Sequence, residues 1–240
     1  MEQTEQQLAL QRKGYNEELI ITKVPFIDNA SLKDIQEWLE LRQKKVLELG
    51  WRTPEQQQHD DDDYDADPST AQFIFKNKTG EVTGGMRLTP RESIDQTLSW
   101  SMLPDLPESA RQAVTGPVWD LTRLIPSDDH IPNPLDRLNA CAELFGAGFS
   151  HIKQTTGEDN PAWVFAVGRG FLEAFKRYGI EFTEIEGTEQ PDGSLLCYAY
   201  PKDRTQFLHD HQAEYSYAYA SVMQGIERAG GRWVGDSLGD

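Results

Sequence analysis

Opposite charges three residues apart inside an apolar run mark the first place where this chain is equipped for chemistry. Trp119-Asp120-Leu121-Thr122-Arg123-Leu124-Ile125 reads as a strand, and a buried strand tolerates ionised groups only when they are paired or used. Taken alone, Asp120 and Arg123 fit a structural ion pair as well as a working site. Arg87 has a similar setting, after Gly84-Gly85-Met86 and before Leu88-Thr89-Pro90. Two arginines in apolar, glycine-punctuated runs indicate a cleft that wants positive charge. Asp62 and Asp65, three apart in an acidic stretch, add carboxylates. Clustered carboxylates can hold an ammonium group, and an aspartate can take a proton from an amine directly or through water. Arginine can grip a carboxylate through two parallel hydrogen bonds. A substrate with an α-amino acid head would suit this set, although a solvated acidic loop with structural ion pairs fits the same residues.

Other chemistries find less support. Ser93, Ser99 and Ser101 lack a Gly-x-Ser-x-Gly elbow. The five histidines are scattered, and His209-Asp210-His211 lacks the one-face helical spacing of paired ligands, so no metal site is expected. Asp63, Asp65 and Asp67 have calcium-loop spacing, but Pro68 stands where that loop needs glycine and Ile74 where glutamate should close it. No phosphate loop of the Walker or dinucleotide type is present, and Gly168-Arg169-Gly170 alone is weak evidence for one.

The elements that must carry these residues follow from periodicity. A first strand is expected over 20–26. Ser31 is the expected N-cap of an amphipathic helix over 32–49, with Asp34 in a capping-box position and Leu32, Ile35, Leu39, Val46 and Leu47 as its apolar side. Gly50 would end it. Residues 51–70 are Gln- and Asp-rich and read as a long surface loop. Apolar runs at 71–75 and 81–88 around a Gly-containing connection predict a hairpin. Residues 91–117 are irregular apart from a short helix at 108–113. Strands are expected at 118–125, 163–167, 180–185 and 195–200, and helices at 135–153 and 170–178. This order predicts an α/β fold, a mixed central sheet flanked by helices. From Thr205 onward, Tyr215, Tyr217, Tyr219, Met223 and Ile226 sit in a helix-compatible segment that would dock on the body or on another subunit. Residues 1–204 are therefore read as one domain and 205–240 as a C-terminal helical extension.

Charge and cysteine content bound the setting. Asp and Glu number 40 against 23 Lys and Arg, a net charge of −17 over 240 residues, which argues against general binding to nucleic acid or to an anionic membrane. Cys141 and Cys197 lie in helix and strand contexts and are expected as buried thiols of a reduced cytosol. Residues 1–14 carry no apolar signal core, and no run approaches the roughly 18 apolar residues of a membrane span. A soluble, cytoplasmic protein is the expectation.

Five motifs in order then resemble one family. Trp119-Asp120-Leu121-Thr122-Arg123 resembles the Trp-Glu-Leu-Ser-Arg strand of the acyl-homoserine-lactone synthases of bacterial quorum sensing. Gly85-Met86-Arg87-Leu88-Thr89-Pro90 is similar to their Gly-x-Arg-Leu-x-Pro, and Arg42 with Leu49-Gly50-Trp51 to the Arg and Leu-Gly-Trp of their first helix. Asp62-Asp63-Tyr64-Asp65 resembles their Asp-x-Tyr/Phe-Asp, and Phe175-Lys176-Arg177-Tyr178-Gly179 their Leu-x-Arg-x-Gly helix end. The match runs from Leu39 to Tyr200. It implies a GNAT-like fold, although residues 124–139 lack the glycines of the pyrophosphate loop of ordinary GNAT enzymes.

The resemblance implies an N-acyltransferase that takes S-adenosylmethionine as amine and an acyl-thioester on acyl carrier protein or coenzyme A as acyl donor, with no further cofactor. Asp62, Asp65, Arg42, Trp51 and Arg123 would help hold S-adenosylmethionine, and Asp120 would deprotonate its amine. Arg87 would organise the acidic loop, and Phe165 falls near the acyl pocket. Arg169, Lys176 and Arg177 would form a basic face for the carrier. Three departures matter: Val46 replaces an aromatic residue, Asp120 replaces Glu, and Asp67 competes with Asp65 for the second acidic position. A same-fold enzyme acylating another amine, or a non-catalytic ligand-binding relative, are the alternatives. Oligomeric state stays open.

Overall fold

Near-continuous apolar runs build the central strands, which are buried on both faces. In the computed structural model, residues 18–23, 29–48, 64, 65, 67–77 and 79–230 are described. Strands β1 (Glu18–Lys23), β2 (Ala71–Lys76), β3 (Val82–Arg91), β4 (Val118–Pro126), β5 (Ala162–Gly168), β6 (Thr183–Glu184) and β7 (Ser194–Ala199) form one sheet in the order β1-β2-β3-β4-β5-β7-β6. Every neighbouring pair is antiparallel except β4 and β5, which run parallel. Helices α1 (Asn29–Glu48), α2 (Leu98–Ser101), α3 (Pro134–Thr156), α4 (Arg169–Tyr178), α5 (Pro201–Asp210) and α6 (Ser216–Arg228) surround it. The fold is the expected mixed sheet flanked by helices.

Local chemistry explains the main boundaries. Asn133 accepts a hydrogen bond from the Leu135 amide and Pro134 opens α3, while Gly157 closes it at φ 76°. The larger core cluster combines Phe73, Met86, Leu88, Trp119, Leu121, Trp163 and Phe165 of the sheet with Leu144, Phe145 and Ile152 of α3 and Val222 and Ile226 of α6. Thus α6 completes the same core, and α5 runs through residue 204. The opposite face carries a second cluster of Ile94, Leu103, Val118, Val164 and Leu196, and a third of Trp38, Ile74, Val82 and Ile125 under α1.

Four expectations differ from the structure, the first being that residues 98–101, expected to be irregular, form α2. Helix α1 starts at Asn29, before Ser31, and Asp34 pairs with Lys76 at 2.7 Å rather than closing a capping box. The buried positions of α1 are Asp34, Trp38, Arg42 and Val46, while Ile35, Leu39 and Leu47 are only half-buried. Of the strand expected at 180–185, only Thr183–Glu184 pairs. Gly179 at φ 99° ends α4 and the Ile180 amide bonds back to Phe175, so the chain's next residues finish the helix instead of joining the sheet. The first strand is Glu18–Lys23, two residues earlier than expected, and residues 24–26, like Gly50, lie outside the described residues.

Candidate active site

A band of polar side chains crosses the α1 face of the sheet, because residues in register point the same way. Gln72 on β2 pairs with Arg87 on β3, which pairs with Thr122 on β4, and Thr89 pairs with Asp120. Arg87 is fully buried and donates from Nε to Thr122 Oγ1 at 2.9 Å. Its Nη1 lies 2.9 Å from Asp65 Oδ1. Arg42, equally buried on α1, grips Asp65 with two hydrogen bonds of 2.7 and 2.9 Å. Gln72 donates to the same carboxylate at 3.1 Å and accepts from Trp38 Nε1 at 2.7 Å. Partial burial opposes charge on Asp65, but Arg42 and Arg87 outweigh it and hold the carboxyl below the usual range. Asp67 competes in sequence but not in space, since it binds Arg91 at 2.8 Å and Ser69. Tyr64 covers the arginines, its ring 4.2 Å from Arg91 and 5.5 Å from Arg87.

Asp120 sits further along the band in a different environment. It is fully buried, accepts the Leu98 amide at 2.7 Å on Oδ2 and the Ser99 hydroxyl at 2.6 Å on Oδ1, and so caps helix α2. Burial, the largest influence, pushes its pKa up to about 6, against the hydrogen bonds from Ser99 and Leu98 and the field of Arg87. The Asp120–Arg123 ion pair that sequence spacing allows is not what satisfies this carboxyl.

Arg123 instead marks a break in the sheet. Its φ is 57°, left-handed backbone that a long side chain seldom adopts. The β3–β4 register slips between Gly85 and Arg87, so two β4 residues face one β3 residue in a bulge. Strand β4 pairs with β5 only through Val118, Trp119 and Asp120. Beyond that point the two parallel strands separate, and the wedge between them opens on two cavities. One of about 290 Å³ is lined by residues 121–125 of β4, residues 165–168 of β5, Phe171, Met102 and Ser99. The other, of about 550 Å³, is lined by Val46, Leu98, Met102, Arg123, Val167, Pro191 and their neighbours. Arg123 lines both. Asp120 lines neither and stands directly behind Ser99. Past Asp120, β4 has no pairing with β5 among the described residues, and backbone N–H groups on such an edge can stabilise negative charge developing on an oxygen.

The structure therefore brings together Arg42, Asp65 and Arg87 as one cluster and Asp120, Arg123 and Phe165 around the wedge. Trp51 and Asp62 lie outside the described residues. Phe165 packs edge-on against Phe182 at 4.7 Å while lining the smaller cavity. Two of the three basic residues of α4 lie against glutamates. Arg169 is held by Glu184 and Glu189, each at 2.7 Å, Lys176 lies 3.5 Å from Glu181, and Arg177 donates to the Glu173 carbonyl. Sequence reasoning missed Ser99, Gln72 and Trp38. For the last two, strand register and the four-residue spacing of Trp38 and Arg42 were the available signals; Ser99 had none, since 21 residues separate it from Asp120.

No family model and no curated protein matches the chain. Among solved structures, BjaI, a CoA-dependent acyl-homoserine lactone synthase, superposes with TM-score 0.57 at 16% identity over 90% of this chain and 99% of its own. BjaI has been solved with MTA and, separately, with SAM and isopentyl-CoA. The AHL synthase LasI gives TM-score 0.52 at 18% identity over 78% of this chain and 91% of its own. FeeM, an N-acyl amino acid synthase from uncultured soil microbes, gives 0.52 at 12% over 80% and 95%. The fold is thus the one these synthases share.

Proposed function

We propose that this chain is an N-acyltransferase of the acyl-homoserine-lactone synthase type. It would take S-adenosylmethionine as amine and an acyl-thioester as acyl donor, and release methylthioadenosine. The observation that carries the reading is a buried aspartate, its pKa pushed up to about 6, at the head of a wedge that opens on an apolar cavity. A general base works best when its pKa lies near the operating pH. The acyl chain occupies the smaller cavity beside Phe165 and Phe171, and the amine enters from the larger one past Arg123. The amine loses a proton toward Asp120 and attacks the thioester carbonyl, whose oxygen charges up against β4 amides. The methionine carboxylate then displaces methylthioadenosine from its own γ-carbon and closes the lactone. Asp65, Arg42 and Arg87 fix the inner end of the acidic loop on the sheet. Coenzyme A is the favoured carrier, because Arg169 and Lys176 are engaged by glutamates.

The fold it shares with FeeM keeps one rival reading open, acylation of a different amine. Incubation with S-adenosylmethionine and a panel of acyl-CoA and acyl-carrier-protein thioesters, followed by mass spectrometry, separates the two. Methylthioadenosine that appears only with an acyl donor supports lactone synthesis. Acyl transfer to another amine without methylthioadenosine supports the rival, and ligand binding without thiol release supports a non-catalytic protein.

A further inference from the structure

Asp120 is set back from the space where a substrate can sit. The carboxyl is fully buried and lines neither cavity, whereas Ser99 lines the smaller one and its hydroxyl donates to Asp120 Oδ1 at 2.6 Å. Because that O–H is spent on Asp120, the Ser99 oxygen has lone pairs with which to accept a proton in its place. The neighbouring amide of Leu98 holds the other carboxyl oxygen at 2.7 Å, which fixes Asp120 against rotating toward the cavity. An aspartate, one methylene shorter than glutamate, does not reach past the hydroxyl in front of it.

We infer that Ser99 is the proton relay between a substrate amine in the wedge and Asp120, a catalytic residue that sequence motifs leave out. The inference rests on the N-acyltransfer reading. In the transfer step a neutral amine attacks the thioester carbonyl and forms the C–N bond. Its N–H proton passes to Ser99 Oγ as the Ser99 O–H proton passes to Asp120 Oδ1. When the C–S bond breaks, the proton on Asp120 returns by the same route to the departing sulfur, so amide and thiol leave and Asp120 is again a carboxylate. The groups around Asp120 favour this path. Thr89 on β3 and Val164 on β5 are its uncharged register partners, and Arg87 on β3 supplies the positive field that keeps the carboxylate accessible near neutral pH.

The test compares wild type with Ser99→Ala and Ser99→Thr, using S-adenosylmethionine and the best acyl-CoA of the panel, with thiol release as readout. Ser99→Ala is expected to lower kcat by about 100-fold, the scale of a lost proton-transfer contribution, with KM unchanged. Its acidic limb moves to higher pH, because the Ser99 hydrogen bond holds the Asp120 pKa down. Ser99→Thr, which keeps the hydroxyl, retains most of the activity and the wild-type pH profile. In mixtures of light and heavy water, wild type gives a bowed dependence from two moving protons and Ser99→Ala loses the bow. Wild-type kcat in Ser99→Ala, or equal loss in both variants with an equal fall in Tm, overturns the relay while leaving acyl transfer standing. A wild type that releases no thiol from any donor instead overturns the acyltransfer reading, and the relay with it.

Discussion

Asp65, held by the polar band, and Asp120, which stands on it, have carboxyl groups shifted in opposite directions. Asp65 is pulled down by Arg42 and Arg87, so its stabilising contribution is complete above the unfolded carboxylate value and is lost as pH falls through its lowered folded value. Asp65→Ala removes the shared partner of two fully buried guanidinium groups and is expected to cost on the order of 3–5 kcal/mol, read from urea unfolding. Asp120 behaves conversely. Its folded pKa of about 6 exceeds the ordinary 3.8, so the folded state binds the proton more tightly and the contribution is complete below about pH 3.8. That contribution disappears as pH rises through 6, and above this the buried charge costs on the order of 3 kcal/mol. Asp120→Asn is therefore expected to raise Tm at pH 8, leave it unchanged at pH 4, and abolish turnover without weakening ligand binding. Retained turnover would remove Asp120 from the mechanism. On the proposed role of Asp120, wild-type activity should fall as pH drops through about 6, where its carboxylate becomes protonated.

Among the elements, α3 and α6 cross most closely, and glycine makes the crossing possible. A Cβ on Gly225 would run into the Glu143 carbonyl, and one on Gly146 into the Val222 carbonyl. Arg228 of α6 reaches the buried Glu143 of α3 at 2.9 Å beside this contact. Gly225→Ala is expected to cost at least about 1–3 kcal/mol, lowering the denaturant midpoint at constant m. Gly170→Ala, in the first turn of α4 with open space around it, should stabilise by about 0.5–1 kcal/mol. A neutral Gly225→Ala would mean that the two helices can slide apart without loss. The same scale explains what periodicity could and could not reveal. The 71–88 hairpin, α3 and α4 were legible because their apolar runs and stripes coincide with the residues that are buried. Helix α1 was legible as a helix but not in its facing, because its buried stripe of Asp34, Trp38, Arg42 and Val46 is half charged. That stripe makes sense only once Asp65 and Lys76 stand opposite it. Motifs picked out Arg42, Asp65, Arg87 and Asp120 individually. The bulge at Arg123 and the placement of Ser99 before Asp120 arise from tertiary packing and leave no local pattern.

For the whole molecule the deciding quantity is charge, −17 over the chain. At physiological salt the Debye length is about 8 Å, so distant charges are screened and a ligand responds to what it lies against. In the proposed reaction a small thioester entering the wedge would meet Arg123, which lines both cavities. A protein carrier must cover much more, on the order of 800 Å² on each partner. On the α4 side that area brings Glu181, Glu184 and Glu189 together with Arg169 and Lys176. An acidic carrier therefore gains little from the arginine and lysine and is repelled by the surrounding surface. With the same acyl group, kcat/KM is expected to be higher for acyl-CoA than for acyl carrier protein at low salt. The gap should narrow as salt rises, because screening relieves the repulsion of the larger partner more. Steady-state rates for both donors across a salt series decide the point. A carrier-protein rate that is the higher at low salt and falls with added salt would mean that Lys176 and Arg177 attract the carrier despite the glutamates. Glu184→Gln and Glu189→Gln should, on the repulsion argument, raise the carrier-protein rate and leave the acyl-CoA rate near wild type, since neither glutamate lines either cavity.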